Sequence, residues 1–296
     1  MLHFLPSPII AIINALALCL NTLFWAVPLY VTVIARLLIP VKSWQQACSK
    51  TAVFIAENWI GVNSFMFDLT HQTEWQVSWP ESLKMDEWYM VVSNHQSWTD
   101  IFVLQYLFNR KIPFLKFFIK HDLIYVPVIG LAWWGLEFPF MKRYSKKMLE
   151  KKPHLKGKDL ETTKKACAKF KDSPVAIMNF LEGTRFTPEK HQRQGSEYGR
   201  LLKPKSGGIA FALAALDHRM QKMIDVTIAY PDGHYQFWDF FSGKTKTIAV
   251  DIQEREIPQH ILQGDYANDP QFKTQFQAYV TELWQEKDLL LEKLTA

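Results

Sequence analysis

The sequence predicts an α/β fold entered through an N-terminal membrane helix, and three observations carry that prediction. Short apolar runs suited to strands alternate with longer helical or basic stretches. An apolar segment near the N-terminus exceeds the ~20 residues needed to cross a hydrocarbon core. Two short polar motifs, NHQSWTD at 94–100 and FLEGTR at 180–185, each follow one of the strand-like runs.

From Ile9 to Ile39 the chain is apolar apart from Asn14, Asn21, Thr22, Tyr30, Thr32 and Arg36, and Pro28 divides it unequally. Either one kinked span runs throughout, or a span ends near Pro28 and a shorter interfacial piece follows. The first eight residues hold no Lys or Arg, and Cys19 follows Leu18 instead of a small residue. The segment is therefore expected to be retained and not cleaved as a signal peptide. Arg36, Lys42 and Lys50 come after it, which by the positive-inside tendency puts the body of the protein on the cytoplasmic side. Next, Trp44, Cys48, Ala52, Ile55, Trp59, Val62 and Met66 recur at the spacing of one helix face. That stripe either seats at the lipid interface or packs on the globular body. The expected organisation is a membrane-anchoring segment over 1–40, an amphipathic interfacial helix over 41–75, and one domain carrying both motifs over 76–296.

Strands are expected at Trp88–Val92, Phe138–Met141, Val175–Phe180, Val226–Tyr230 and Ile248–Ile252. Asp269 and Pro270 make a good helix start, and Phe272, Phe276, Tyr279, Val280, Leu283 and Leu290 give the closing helix one apolar side. No repeat or linker divides the 296 residues, which suffice for a sizeable core. Cys19, Cys48 and Cys167 lack paired or metal-like spacing, as suits a reducing compartment. The net charge of +5 is unevenly placed, since Lys142–Lys171 holds twelve Lys or Arg against three acids. Beside an apolar anchor such a stretch either meets anionic lipid headgroups or forms a solvated helical face. Nucleic acid is not an expected partner, because no recognised binding motif accompanies the charge.

In the first motif His95 and Asp100 are five apart, whereas neighbours on one helix face are three or four apart. His95 is thus expected in a turn at the carboxyl end of a strand, where open α/β sheets collect ligands, and Asp100 in the helix that follows. There a base and its orienting carboxylate would sit together. Ser97 to Asp100 also fits a variant capping box, in which Asp100 merely satisfies a helix end. In the second motif Gly183 would let backbone amides approach an anion and Arg185 would hold it bidentately. The alternative is a surface turn with a Glu182–Arg185 pair. A base and an anion clamp on one scaffold suggest group transfer to an anionic substrate.

These two motifs, in this order and spacing, resemble the glycerophospholipid acyltransferases, particularly the 1-acyl-glycerol-3-phosphate type, whose hallmarks are N-H-x4-D and F-x-E-G-T-R. The nearest likeness is to a bacterial membrane-bound branch similar to the lysocardiolipin-type enzymes, over about Trp88 to Tyr230. The resemblance implies a mixed sheet flanked by helices. It also implies that His95 is a general base on a glycerol hydroxyl and that Asp100 stabilises the imidazolium. Glu182, Gly183, Thr184 and Arg185 would form the phosphate site, joined by Lys120 and by Arg143 of FPFMKR. The implied co-substrate is acyl-coenzyme A or acyl carrier protein, with no resident cofactor, at the cytoplasmic face of a bacterial inner membrane. The family's Val-Pro-Val or Val-Pro-Ile block is replaced by DVTIAYPDG, with Pro231 after the strand, a departure that bears on the acyl-chain contacts.

Lys203, Lys205, Gly207 and Gly208 precede an apolar helix and would hold a phosphate on free amides, or make only a turn. No G-x-S-x-G elbow, H-E-x-x-H pair, P-loop or G-x-G-x-x-G is present, so an acyl-enzyme and a metal are not expected. Two rivals to lysophosphatidic acid acylation stand: remodelling of a lysolipid with a larger headgroup, and lipid binding without turnover.

Overall fold

The computed structural model describes residues 2–141, 161, 166–167, 170, 173–216 and 219–295. Two long helices come first, α1 (Ser7–Leu38) and α2 (Lys42–Thr70), packed antiparallel. Pro28 lies inside α1 without ending it, so the apolar segment is one 32-residue helix, long and apolar enough to cross a membrane. Ile12, Leu16, Leu20, Leu23, Val27, Val31 and Ile34 of α1 are exposed. The α2 stripe meets α1: Cys48, Ala52 and Ile55 are buried, while Trp44 stays exposed. In the second half the buried face shifts to Ile60, Asn63, Phe67 and Thr70, leaving Val62 exposed and Trp59 and Met66 half-buried. Polar pins fix the pair, with Asn21 Nδ2 donating to Asn63 Oδ1 at 2.8 Å and Trp59 Nε1 to Thr22 Oγ1 at 3.1 Å.

The α1 helix is also tied to the globular body at both ends. Near its start Asn14 Nδ2 donates to the Phe241 carbonyl at 2.9 Å. Near its end Tyr30 donates to the Val128 carbonyl, and Arg36 pairs with Glu137 at 3.6 Å.

The body is a six-stranded mixed sheet. In chain order come β1 (Glu74–Ser78), β2 (Tyr89–Ser93), α3 (Thr99–Phe108), β3 (Leu115–Phe117), β4 (Ile119–Lys120), α4 (Ile129–Gly135) and β5 (Phe140–Met141). These are followed by β6 (Ala176–Phe180), α5 (Pro188–Gln194), α6 (Gly207–Ala215), β7 (Lys222–Ala229), α7 (Phe237–Phe241), β8 (Thr247–Glu256), α8 (Gln259–Leu262) and α9 (Pro270–Leu294). The strand order is β1-β8-β7-β2-β6-β3, parallel except for the β7–β8 pair, and β4 and β5 form a separate two-stranded sheet.

Strands β2 and β6 are neighbours inside the sheet, away from its edges, and read as largely apolar runs because both faces are covered. Alternate residues serve opposite cores. Met90, Val92 and Ile177 pack under α6 and α9, with Phe276, Val280 and Trp284. Tyr89, Val91 and Met178 pack under α3, with Val103, Leu104 and Leu107. Asp269 caps α9 by accepting from the Gln271 and Phe272 amides, as its sequence suggested, although Leu291 and not Leu290 is the buried leucine at its end.

Three strands were not foreseen. β3 and β4 are too short to show a period, and β1 is an edge strand that begins at Glu74, two residues before the expected domain start. β7 and β8 are longer than expected, starting at Lys222 and ending at Glu256.

Candidate active site

Strand β2 delivers the first motif to the carboxyl edge of the sheet. The Asn94 side chain closes a two-point bridge to β7, donating to the Ile228 carbonyl at 2.8 Å and accepting from its amide at 2.9 Å. His95 follows in the turn, 8% exposed, its ring stacked on Phe180 with centroids 3.8 Å apart. Its Nδ1 meets Asp100 Oδ2 at 2.9 Å. With Nδ1 so held, Nε2 is the nitrogen left to take a proton from a substrate.

Asp100 sits at the start of α3 and has no exposed surface. Its Oδ2 also accepts from the Gln96 amide at 2.7 Å and the Ser97 amide at 2.9 Å, while Oδ1 accepts from the Tyr230 hydroxyl at 2.7 Å. The two roles weighed for Asp100 therefore coexist: one carboxylate closes the turn and orients the imidazole.

The second motif leaves β6 beside the first. Gly183 adopts φ +68°, a left-handed conformation that favours glycine, and its amide donates to the Phe180 carbonyl at 2.9 Å to close the turn. Glu182 is a correction to the expected phosphate site. It is wholly buried, and its two oxygens accept from the His95 amide at 2.6 Å and the Leu202 amide at 3.0 Å. Burial pushes its carboxyl up to about 8, against the pull of those two amides. It braces the backbone of the histidine, and its wholly buried carboxyl does not pair with the exposed Arg185. The simple Glu–Arg surface turn is excluded as well.

Arg185 is exposed, and its guanidinium lies 4.9 Å from the ring centre of Trp98, inside the histidine motif. No carboxylate among the described residues pairs with it. The Phe186 amide donates to the His95 carbonyl at 2.7 Å, so the two motifs are stitched together on both sides of the histidine. Thr184 is engaged through its hydroxyl by Lys190 Nζ at 2.9 Å, which also reaches the Arg185 carbonyl at 2.8 Å.

The remaining candidates divide. Lys205 donates its amide to the Leu181 carbonyl at 2.7 Å, which lays the segment through Lys203 and Lys205 along the second motif with both side chains exposed. Lys203 Nζ is held by Glu197 at 3.1 Å. Gly207 opens α6, and a Cβ on Gly208 would lie 2.7 Å from Asn179 Nδ2, so close packing on β6 explains that glycine. Lys120 pairs with Asp122 at 2.6 Å on an exposed surface and not with any member of the His95 cluster. Arg143 lies outside the described residues, as does most of the basic stretch around it. Asn94, Phe180, Lys190 and Tyr230 were missed, and each acts across the sheet or the turn in a way that local spacing does not report.

An imidazole anchored at Nδ1, next to a motif whose arginine has no carboxylate partner among the described residues, is an arrangement suited to group transfer to an anionic acceptor. The family described as Acyltransferase matches residues 74–231, more than half of the sequence, and the chain belongs to that family. The match ends one residue past Tyr230 and spans both motifs.

Similar proteins are all named as acyltransferases. The 1-acyl-sn-glycerol-3-phosphate acyltransferase delta of Rattus norvegicus is 26% identical over 95% of this chain and 69% of its own length. The human protein of the same name is 25% identical over 69% of this chain and 52% of its own. An uncharacterised acyltransferase of Schizosaccharomyces pombe is 24% identical over 69% of the chain and 59% of its own. The chain thus spans about two thirds of the rat protein and about half of the human one. Among solved structures, the 1-acyl-sn-glycerophosphate (LPA) acyltransferase of Thermotoga maritima aligns over 93% of this chain and 98% of its own, at 15% identity and a TM-score of 0.49.

Proposed function

We propose that this enzyme transfers a fatty acyl group from an acyl thioester to the free hydroxyl of a lysophospholipid, with lysophosphatidic acid acylated at sn-2 to give phosphatidic acid. The observation that carries the reading is the 2.9 Å contact of His95 Nδ1 with buried Asp100, next to a motif whose guanidinium has no carboxylate partner among the described residues. His95 Nε2 accepts the proton of the acceptor hydroxyl as its oxygen attacks the thioester carbonyl. Asp100 stabilises the imidazolium so formed. The tetrahedral adduct then collapses, the carbon–sulfur bond breaks, and the proton passes from His95 to the departing thiolate. General-base help of this kind contributes about 100-fold to 10,000-fold. Arg185 holds the acceptor phosphate.

Coenzyme A or acyl carrier protein carries the acyl group. The exposed apolar face of α1 attaches the protein to the membrane that holds the acceptor, and Arg36, Lys42 and Lys50 after it favour the cytoplasmic face of a bacterial inner membrane.

The test is transfer of labelled acyl chains from acyl-coenzyme A, and from acyl carrier protein, to a panel of lysophospholipids by the detergent-solubilised protein, with His95→Ala alongside. Histidine-dependent product with lysophosphatidic acid preferred is expected. A larger preferred headgroup would move the assignment to remodelling, turnover kept by His95→Ala would remove the base, and no transfer from either donor would leave only lipid binding.

A further inference from the structure

The hydroxyl of Tyr230 is the sole hydrogen-bond donor to Oδ1 of Asp100 among the described residues, and this phenol follows a strand far from the histidine in sequence. Strand β7 runs parallel to β2, with Ser93 opposite Val226, so the residue that follows β7 arrives at the same sheet edge as His95. Alternate β7 residues point to opposite faces. Val226, Ile228 and Tyr230 face α3. On the other face Lys287 of α9 pairs with Asp225 at 2.6 Å and donates to Thr227 Oγ1 at 3.0 Å. Just beyond, the Gly233 amide donates to the Tyr230 carbonyl at 3.0 Å, and Gly233 adopts φ +74°. The strand that leads to Tyr230 is therefore held on both faces, and the Tyr230 backbone closes the turn that follows.

We infer that Tyr230 is a positioning residue for acyl transfer, turning the Asp100 carboxylate so that Oδ2 faces His95 Nδ1; the inference rests on the reading proposed above. A carboxylate can rotate about its bond to Cβ, and three donors on Oδ2 alone leave Oδ1 without a fixed partner. The hydroxyl at 2.7 Å supplies that partner and stops the rotation. Burial raises the Tyr230 phenol well above its ordinary range, which keeps it protonated and hence a donor at neutral pH. No proton needs to leave Tyr230 during the reaction.

Tyr230→Phe keeps the ring and deletes only the donor. It is expected to lower kcat about tenfold, the scale of one hydrogen bond to a charged group, with KM for both substrates within about twofold and thermal melting little changed. Full kcat, or a loss shared equally by KM, would overturn the inference. If the variant does not fold, 3,5-difluorotyrosine at position 230 retains shape and hydroxyl while making the donor more acidic. A kcat shifted by at least about twofold at constant KM would then support the contact, and an unchanged kcat would refute it. Wild-type protein run in parallel separates the two failures: without transfer by the wild type the acyltransferase reading falls, whereas an active wild type beside an equally active Tyr230→Phe removes only this role.

Discussion

Two buried carboxyl groups touch His95 from different directions, Asp100 at the ring and Glu182 at the backbone amide. Both have no exposed surface. Asp100 collects four donors, two of them side chains, whereas Glu182 has two amides and a carboxyl pushed up to about 8 by burial. The donors differ in kind as well as number: those of Asp100 include the imidazole itself, whereas those of Glu182 are backbone amides, one of them in the loop on which the imidazole stands.

Removing the charge of Asp100 probes that contrast most sharply. Asp100→Asn keeps an oxygen for the turn amides but weakens support of the imidazolium, so kcat should fall about 100-fold to 10,000-fold while urea midpoints change little. Lost stability with unchanged specific activity would reduce Asp100 to a cap. Glu182→Gln should act the other way round. Its side-chain amide turns a donor toward one of two backbone donors, costing about 1–3 kcal/mol in urea unfolding, with a smaller loss of kcat than Asp100→Asn.

The pH dependence follows from the raised carboxyl of Glu182. A group raised from 4.5 to about 8 on folding contributes stability that is complete below 4.5 and fades as pH rises through about 8. Urea titrations from pH 5 to 8 should show that decline in the wild type and a flatter profile in Glu182→Gln; equal slopes would mean that the buried group does not take up a proton. The smallest effect is expected at the exposed neighbour. Arg185→Ala should raise KM for a phosphorylated acceptor about tenfold with kcat nearly unchanged, and an unaltered KM would take Arg185 out of the phosphate site.

Much of this arrangement is legible in the sequence because the spacing of His95 and Asp100 is local, and a strand–turn–helix crossing explains it. The apolar runs of β2 and β6 are equally plain, being buried on both faces. Glu182 was misread because a motif does not state which side chains are buried; its neighbour Arg185 faces outward within the same turn. Asn94 and Tyr230 depend on strand order, since each acts between β2 or α3 and β7, far along the chain. The α2 stripe fitted the lipid interface or the globular body equally well, and the partner that Cys48, Ala52 and Ile55 meet, α1, is neither of the two.

The attachment of α1 at Asn14 and again at Tyr30 and Arg36 has a mechanical consequence. Tyr30 and Arg36 lie ~24 and ~33 Å from Asn14 along the helix, at 1.5 Å per residue. A tether fixed at one end lets its cargo swivel, but a beam fastened at two places does not. The position of His95 relative to α1 is thereby set by the fold itself, so whatever surface holds α1 also holds the histidine at one distance from it.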